Sequence, residues 1–300
     1  MSSSPAADPL AERVARLPIW FGRVEPLALK GGITNKNFLV EDRGRKYVVR
    51  TGGDILVHGI LRSSELAATR AAAEAGISPP VFHTEPGIMV IGYIDGRTFA
   101  PEDVRNPANL DRLVDLVRRC HRDVARHLRG PAPMFWPFHV IRDYGHTLKA
   151  GASRHLAVLP DLLARAAELE DAVGPIDVVF GHNDLLAANF IDDGKKLWLI
   201  DWDYAGFNSP LFDLGGLASN SEMPADMADA VVASYFGRPV DDALRRRAAA
   251  MTAASLLRET LWAMVSEIHS TVDFDYTAYT AENLARFEAS YASLKTLERS

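Results

Sequence analysis

Residues 178–203 read VVFGHNDLLAANFIDDGKKLWLIDWD. Short apolar runs stand at the two ends, Val178-Val179-Phe180 and Leu197-Trp198-Leu199-Ile200. Both are rich in β-forming residues and bounded by Gly or Asp, the pattern of strands. Asp192-Asp193-Gly194-Lys195 reads as a turn between paired strands. Among and after these runs lie His182, Asp184, Asn189, Asp201 and Asp203. Strand ends would hold Asp184, Asn189 and Asp201 where their oxygens converge. A carboxylate, an amide five positions on, and a second carboxylate just after a strand form the donor set that phosphoryl transfer uses. That chemistry needs a carboxylate to accept the attacking hydroxyl's proton, and oxygen ligands to hold Mg²⁺ against nucleotide phosphates. Asp184 fits the first task, Asn189 and Asp201 the second. One such residue alone is more simply a turn cap; the ordered set is not.

His182-Asn183-Asp184 with Asn189, then Ile200-Asp201-Trp202-Asp203-Tyr204, then Asn208 and Phe212-Asp213, resembles the choline/ethanolamine kinases. These belong to the wider aminoglycoside-phosphotransferase-like group, which shares the protein-kinase fold. The resemblance implies an α+β, two-lobed fold, with a β-rich nucleotide-binding lobe over residues 1–92 and a mostly helical catalytic and acceptor-binding lobe over 93–300. It implies ATP and Mg²⁺ as cofactors and a small cationic alcohol as acceptor. His182 joins Asp184 and Asn189 in the catalytic loop. Asp203, two positions past Asp201, would hold a second Mg²⁺ or face the substrate cation. Asp213 is a helix cap or a buried clamp on the catalytic loop.

Three hundred residues suffice for one large domain or two lobes. A net charge of −6 without any basic block gives nucleic acid or an anionic membrane no purchase. The one cysteine, Cys120, excludes an internal disulfide and fits a small core position in the helical pattern Leu113, Leu116, Val117, Cys120. Residues 1–8 lack the basic start and apolar core of a signal peptide, and no apolar run reaches membrane-spanning length, so a cytoplasmic location is expected.

Along the chain, residues 10–17 show helical spacing, and Val24–Leu29 and Phe38–Val40 read as strands. Between these strands lie Lys30-Gly31-Gly32-Ile33-Thr34-Asn35, a hairpin tip whose exposed amides can approach phosphate. It resembles the family's phosphate-covering loop, which implicates Gly31, Gly32, Thr34 and Asn35. Strand 46–50 ends in Arg50, the cation expected at the phosphates; Lys46 lies too early. Residues 62–76 form an alanine-rich helix stopped by Gly76, with Glu65 in its first turn as the partner expected for Arg50. Strands 81–83 and 88–91 lead to Gly92-Tyr93-Ile94, where backbone around Ile91 and Tyr93 would meet the adenine edge. Helical spacing follows over 106–127 and 155–173, with 139–151 ambiguous, and again over 241–269. Residues 204–210 read as a loop.

The resemblance places the acceptor among aromatics and acids of the C-terminal region, held by cation–π attraction and carboxylates. Trp262 and Tyr276 match that box. Glu259 stands where the family has the first Trp of a Trp-x-x-Trp pair, and a carboxylate suits a hydrogen-bonding amine at least as well as choline. An aminoglycoside or thiamine would also suit an acidic second lobe. A catalytically silent module of the same fold is disfavoured by the intact Asp184, Asn189 and Asp201. The sequence leaves the oligomeric state open.

Overall fold

The computed structural model describes residues 8–29 and 35–298. Its first part is an antiparallel sheet of β1 (Leu27–Leu29), β2 (Lys36–Asp42), β3 (Arg45–Thr51), β4 (Val81–Glu85) and β5 (Ile88–Gly92), in the order β1-β2-β3-β5-β4. Phe38, Val40, Val49, Ile88 and Val90 form a small core with Val14 of α1 (Pro9–Ala15) and Leu17 just beyond it. Strand alternation sends Arg50 to the face opposite Val49, toward α2 (Arg62–Glu74). Ala68, Ala71 and Ala72 of α2 are buried in the larger core that fills the helical part, so this helix is shared between the two. Gly76, at φ +72°, ends α2 as expected, and the Ile77 N–H returns to the Ala72 carbonyl at 3.0 Å.

Beyond the sheet come β6 (Arg97–Thr98), α3 (Pro101–Val104) and α4 (Leu110–Arg119). A π-helical turn at Cys120–Val124 joins α4 to α5 (Ala125–His127). Cys120 is buried there, as its spacing indicated. The ambiguous stretch 139–151 lies mostly in a helix, α6 (Pro137–Ala150), started by Pro137 at its first position and burying Phe138, Ile141, Tyr144 and Leu148 at three- and four-residue spacing. Next come α7 (Leu159–Val173), β7 (Val179–Gly181), β8 (Phe190–Asp192), β9 (Leu197–Leu199) and β10 (Gly206–Asn208). Last are α8 (Pro210–Asn220), α9 (Ala225–Phe236), α10 (Asp242–His269) and α11 (Tyr276–Leu297). Helix α10 is the axis of this part, capped by Asp241, which accepts from the Leu244 N–H at 2.8 Å. Among the described residues no helix is long and apolar enough to cross a membrane.

The two apolar runs that flank the central motif do not pair with each other. The turn at 192–195 joins β8 to β9, with Asp193 Oδ1 accepting the N–H groups of Lys195 and Lys196 at 2.8 Å. The lead-in strand β7 instead pairs with β10, inside the stretch expected to be loop. Gly206, Phe207 and Asn208 lack a strand's usual composition. Their pairing comes from tertiary context, which Asn208 strengthens by donating to Asn183 Oδ1 at 3.0 Å.

Asp213, in the first turn of α8, locks this region. Ser209 is the cap of that helix, accepting from the Leu211 N–H, so Asp213 takes the clamp role. Its Oδ2 accepts from the His182 N–H and its Oδ1 from the Asn183 N–H, at 2.8 and 2.7 Å. The His121 ring, set by the π-helical turn, lies 2.8 Å from Oδ2 and uses its other nitrogen on the Tyr235 hydroxyl. Burial opposes ionisation of Asp213, but His121, His182 and the backbone N–H donor hold its carboxyl below the ordinary range. Replacing Asp213 with Ala leaves two buried backbone donors and a buried imidazole without their acceptor. Asp213→Ala should lower stability by about 3–5 kcal/mol, with Asp213→Asn losing less. Urea denaturation of the three proteins measures this, and midpoints that coincide would refute the clamp.

Candidate active site

The loop after β7 carries the first candidates. Asn183 adopts φ +64°, a left-handed conformation costly for a side chain. It is held by the Asp213 carboxylate and by its own amide, which donates to the Tyr204 and Gly206 carbonyls at 2.9 and 3.2 Å. Asp184 follows at the rim. Among the described residues its carboxylate makes no hydrogen bond, and its backbone carbonyl accepts from the Leu186 N–H and from Asn189 Nδ2, at 2.9 and 2.8 Å. The Asn189 amide is thereby oriented, and among the described residues its oxygen has no hydrogen-bond donor. Burial pushes the Asp184 carboxyl up to about 8; Arg258 opposes this, and Glu259, Asp201 and Asp203 add to it.

His182 does not join Asp184 at the surface. It is fully buried, its Nε2 lies 2.9 Å from the Ile200 carbonyl, and its ring packs against Trp202. Burial lowers its pKa, so it is neutral and donates to that carbonyl. The catalytic role expected of it is corrected: His182 ties the loop to the residue before Asp201. Trp202 in turn donates to the Ser78 hydroxyl at 2.8 Å, and Ser78 donates to the Leu199 carbonyl.

Asp201 is the second residue with a left-handed backbone, at φ +70°. Its side chain is 33% exposed and faces Arg50 Nη2 at 2.9 Å. Burial opposes its ionisation, but Arg50 keeps the carboxyl below the ordinary range. Arg50 Nε lies 3.0 Å from Glu65 Oε1, an ion pair without the alignment of a hydrogen bond. The expected strand cation and helix carboxylate thus meet. Asp203 is placed differently from either expected role. Its Oδ1 accepts from Arg50 Nη2 (3.0 Å) and Arg62 Nη1 (2.8 Å), and its Oδ2 from Asn35 Nδ2 (3.0 Å). Guanidinium groups hold the position assigned to a second metal or a substrate cation.

Gly31, Gly32 and Thr34 lie outside the described residues, while Asn35 stands beside Asp203. At the crossing between the two parts, Ile91 is buried in the sheet beside the Ile200, Asp201 and Trp202 segment. The Tyr93 N–H donates to the Lys46 carbonyl at 3.2 Å, so it is engaged in the sheet rather than free for a base.

On the acceptor side, Glu259 and Trp262 share a face of α10, as their spacing requires. The Trp262 indole donates to the Tyr204 hydroxyl at 2.8 Å, and its ring has Tyr276 and Tyr279 at centroid distances of 6.0 and 6.3 Å. The Glu259 carboxylate is already engaged by Arg258 Nη1 (2.9 Å) and the Tyr279 hydroxyl (2.8 Å). Burial and Glu259 push the Tyr279 phenol up, so it stays a donor. Arg258 is buried over the rings of Phe135 and Tyr204 and reaches the Asn183 carbonyl at 3.4 Å.

Four residues of this arrangement were not among the candidates. Arg62, three before Glu65 on α2, was detectable as a helix-face neighbour. Arg258 and Tyr279 were detectable too, as a charge inside an apolar helical run and an aromatic one turn past Tyr276. His58 had no local signal. It stacks on Trp262 at 5.0 Å and bonds the hydroxyls of Tyr144 and Ser266 at 3.2 and 3.1 Å. Burial, with Arg258 and His269, pushes its pKa down to about 4, so a neutral ring backs the indole.

A family model described as choline/ethanolamine kinase matches residues 27–232. A solved structure of a choline/ethanolamine kinase family protein from Mesorhizobium loti is 30% identical, covers 96% of this chain and 98% of its own, and superposes with a TM-score of 0.76. Mouse ethanolamine kinase 2 is 27% identical over 286 residues, 86% of this chain and 74% of that protein. Protein LicA of Haemophilus influenzae is 26% identical over 217 residues, 70% of this chain and 62% of LicA. A family match over more than half of the chain, with a 30% identical relative covering nearly all of it, shows that the chain belongs to the choline/ethanolamine kinase family.

Proposed function

We propose that this chain is an ATP- and Mg²⁺-dependent kinase that phosphorylates the hydroxyl of a small amino alcohol of the choline or ethanolamine kind. Residues 1–92 would hold the nucleotide and residues 93–300 the catalytic loop and acceptor. The observation that carries the reading is the arrangement of Asp184, Asn189 and Asp201. Among the described residues the Asp184 carboxylate and the Asn189 oxygen have no hydrogen-bond donor, and Asp201 meets one guanidinium nitrogen, while the backbone around all of them is pinned.

The donors fit Mg²⁺. Among the described residues no three His, Cys, Asp or Glu side chains form a self-sufficient metal cage. Nucleotide-bound Mg²⁺ needs none, since it takes one or two carboxylates with phosphate oxygens and waters. Asp201 and Asn189 supply hard oxygen ligands of that kind. When bound, the ion neutralises charge on the phosphates and orients them. The protein's own groups do the rest. Asp184 accepts the acceptor hydroxyl's proton in its ionised form, which burial makes a strong base, and Arg50, aimed by Glu65, binds phosphate oxygens. Gly31, Gly32, Thr34 and Asn35 would cover the phosphates. Tyr276, Trp262 and Glu259 would hold the acceptor's cationic end.

A screen with radiolabelled ATP against amino alcohols, aminoglycosides and thiamine tests the reading; transfer to choline or ethanolamine is the expected result. Asp184→Asn should lower kcat by ~10²–10⁴ while calorimetry still detects ATP binding. Turnover within a few-fold of wild type would place the base elsewhere.

The acceptor assignment makes a separate claim. Trp262→Ala should raise the acceptor KM and leave the ATP KM nearly unchanged, since a cation–π contact is worth roughly 0.5–2 kcal/mol. Glu259→Trp would leave buried Arg258 and the Tyr279 hydroxyl without the carboxylate acceptor they share, whereas Glu259→Gln removes the charge but keeps an acceptor oxygen and the shape, and is the cleaner probe. It should raise the KM for ethanolamine about tenfold, the loss of a charge-assisted hydrogen bond, and that for choline less. Acceptor kinetics unaltered in both variants would make these residues packing only.

A further inference from the structure

Trp262 is backed by a residue that comes from the other part of the chain. After β3 the backbone leaves the sheet, forms a short loop over residues 54–60 and returns as α2. The loop is tied down at several points. Asp54 Oδ1 accepts from the Arg62 N–H at 2.7 Å. Ile55 and Ile60 exchange backbone hydrogen bonds at 2.9 and 3.1 Å. Ile60 is buried in the core of the helical part. Gly59, at φ +68°, turns the chain just after His58 without the strain a side chain would bring there.

This turn delivers His58 onto α10. Its ring stacks on Trp262 with centroids 5.0 Å apart and planes 29° apart. Nδ1 lies 3.2 Å from the Tyr144 hydroxyl of α6, and Nε2 lies 3.1 Å from the Ser266 hydroxyl, one turn past Trp262. Hydroxyls can donate or accept, so an imidazole with one N–H satisfies both bonds. Burial, Arg258 and His269 all act against a charge on the ring. Ile55, Val57 and His58 also line a cavity of about 220 Å³ together with Trp262 and Tyr276, and among the described residues no carboxylate lines it. A cation arriving there meets no counter-ion in its walls. Its attraction then rests on the π density that the rings present.

We infer that His58 is a positioning residue for the acceptor's cationic end: as an uncharged ring locked behind Trp262, it holds the indole in place and leaves its free face attractive to an ammonium. The sheet-bearing part of the chain thereby supplies the back wall of the acceptor box. The inference rests on the acceptor reading above, and the test separates the two.

Calorimetry at about pH 8, where an ordinary histidine is uncharged, compares choline with 3,3-dimethyl-1-butanol. The second alcohol has choline's shape and hydroxyl with carbon in place of the nitrogen. The non-hydrolysable β,γ-methylene analogue of ATP is present at saturation. The wild type should bind choline the more tightly. His58→Arg, which puts a permanent cation behind the indole, should weaken choline about tenfold and leave the neutral alcohol and the nucleotide analogue almost unchanged. His58→Gln, uncharged and able to bond both hydroxyls, should stay close to wild type. A parallel loss of both alcohols in His58→Arg would mean packing alone and overturns the inference. So does an unchanged choline affinity, a His58→Gln as weak as His58→Arg, or a wild type that binds the two alcohols equally. Should His58→Arg not fold, His58→Ala takes its place. Without the wall, choline binding should weaken while nucleotide binding holds, and an unchanged choline affinity overturns the inference. If Trp262→Ala binds choline as well as the wild type does, the acceptor reading itself falls, and this inference with it.

Discussion

Five ionisable groups meet where the sheet joins the helical part: Arg50 from β3, Arg62 and Glu65 from α2, and Asp201 and Asp203 from the segment after β9. Each contact at about 3 Å is worth about 5 kcal/mol at an effective dielectric near 20. Removing each ion from water costs several kcal/mol in return. The two sums nearly cancel, so the cluster's main effect is on geometry rather than stability. It fixes the strand cation, the first turn of α2 and both aspartates relative to one another, though they come from distant parts of the chain. Two guanidinium groups stand among three carboxyl groups, and Asp201 has the most exposed side chain of the five.

A second constraint fixes the other wall. Asn183 and Asp201 both sit in left-handed backbone that costs roughly 1–3 kcal/mol for a non-glycine residue. The two lie in loops joined through His182, whose ring bonds the carbonyl of Ile200 while its N–H bonds Asp213. The strain is carried by buried hydrogen bonds converging on one carboxylate. The result is a short path of buried contacts from α8, through the loop, to the residue before Asp201. Asp184 stands at the free end of that path. Its neighbours support its backbone and, among the described residues, give its carboxylate no hydrogen bond, as the proposed base would require.

These two constraints explain what was legible in the sequence. The order Asp184, Asn189, Asp201 could be read because each is placed by a strand or turn within a few residues of itself. The Arg50–Glu65 pair could be read because strand end and helix first turn are standard positions. The spacing between aspartates could not say which carboxylate the arginines would saturate. Asp203 was given a metal or substrate role, yet its guanidinium partner Arg62 lies 141 residues away in the chain. His182 looked catalytic beside Asp184, because adjacency in sequence says nothing of which side chain is turned inward. β10 went unseen because Gly206-Phe207-Asn208 is a strand only through β7. His58 had no pattern at all: its stacking on Trp262 exists only once two remote segments have met.

The acceptor side follows from the same economy of charge. Glu259 is shared between Arg258 and the Tyr279 hydroxyl, and Arg258 also touches the carbonyl of Asn183, the residue before Asp184. An ammonium that donates hydrogen bonds would join this network by competing for Glu259, and so would draw on groups connected to the catalytic loop. A quaternary ammonium has no proton to donate, so the rings of Trp262, Tyr276 and Tyr279 would have to hold it. One face of Trp262 is already covered by His58, which burial keeps neutral. A cation in that place would weaken the indole's attraction for another cation, so the neutrality of His58 preserves it. Under the proposed reading, discrimination between the two kinds of amine would rest on how readily Glu259 can be released by Arg258, a buried residue whose own alternatives are two aromatic faces and one carbonyl.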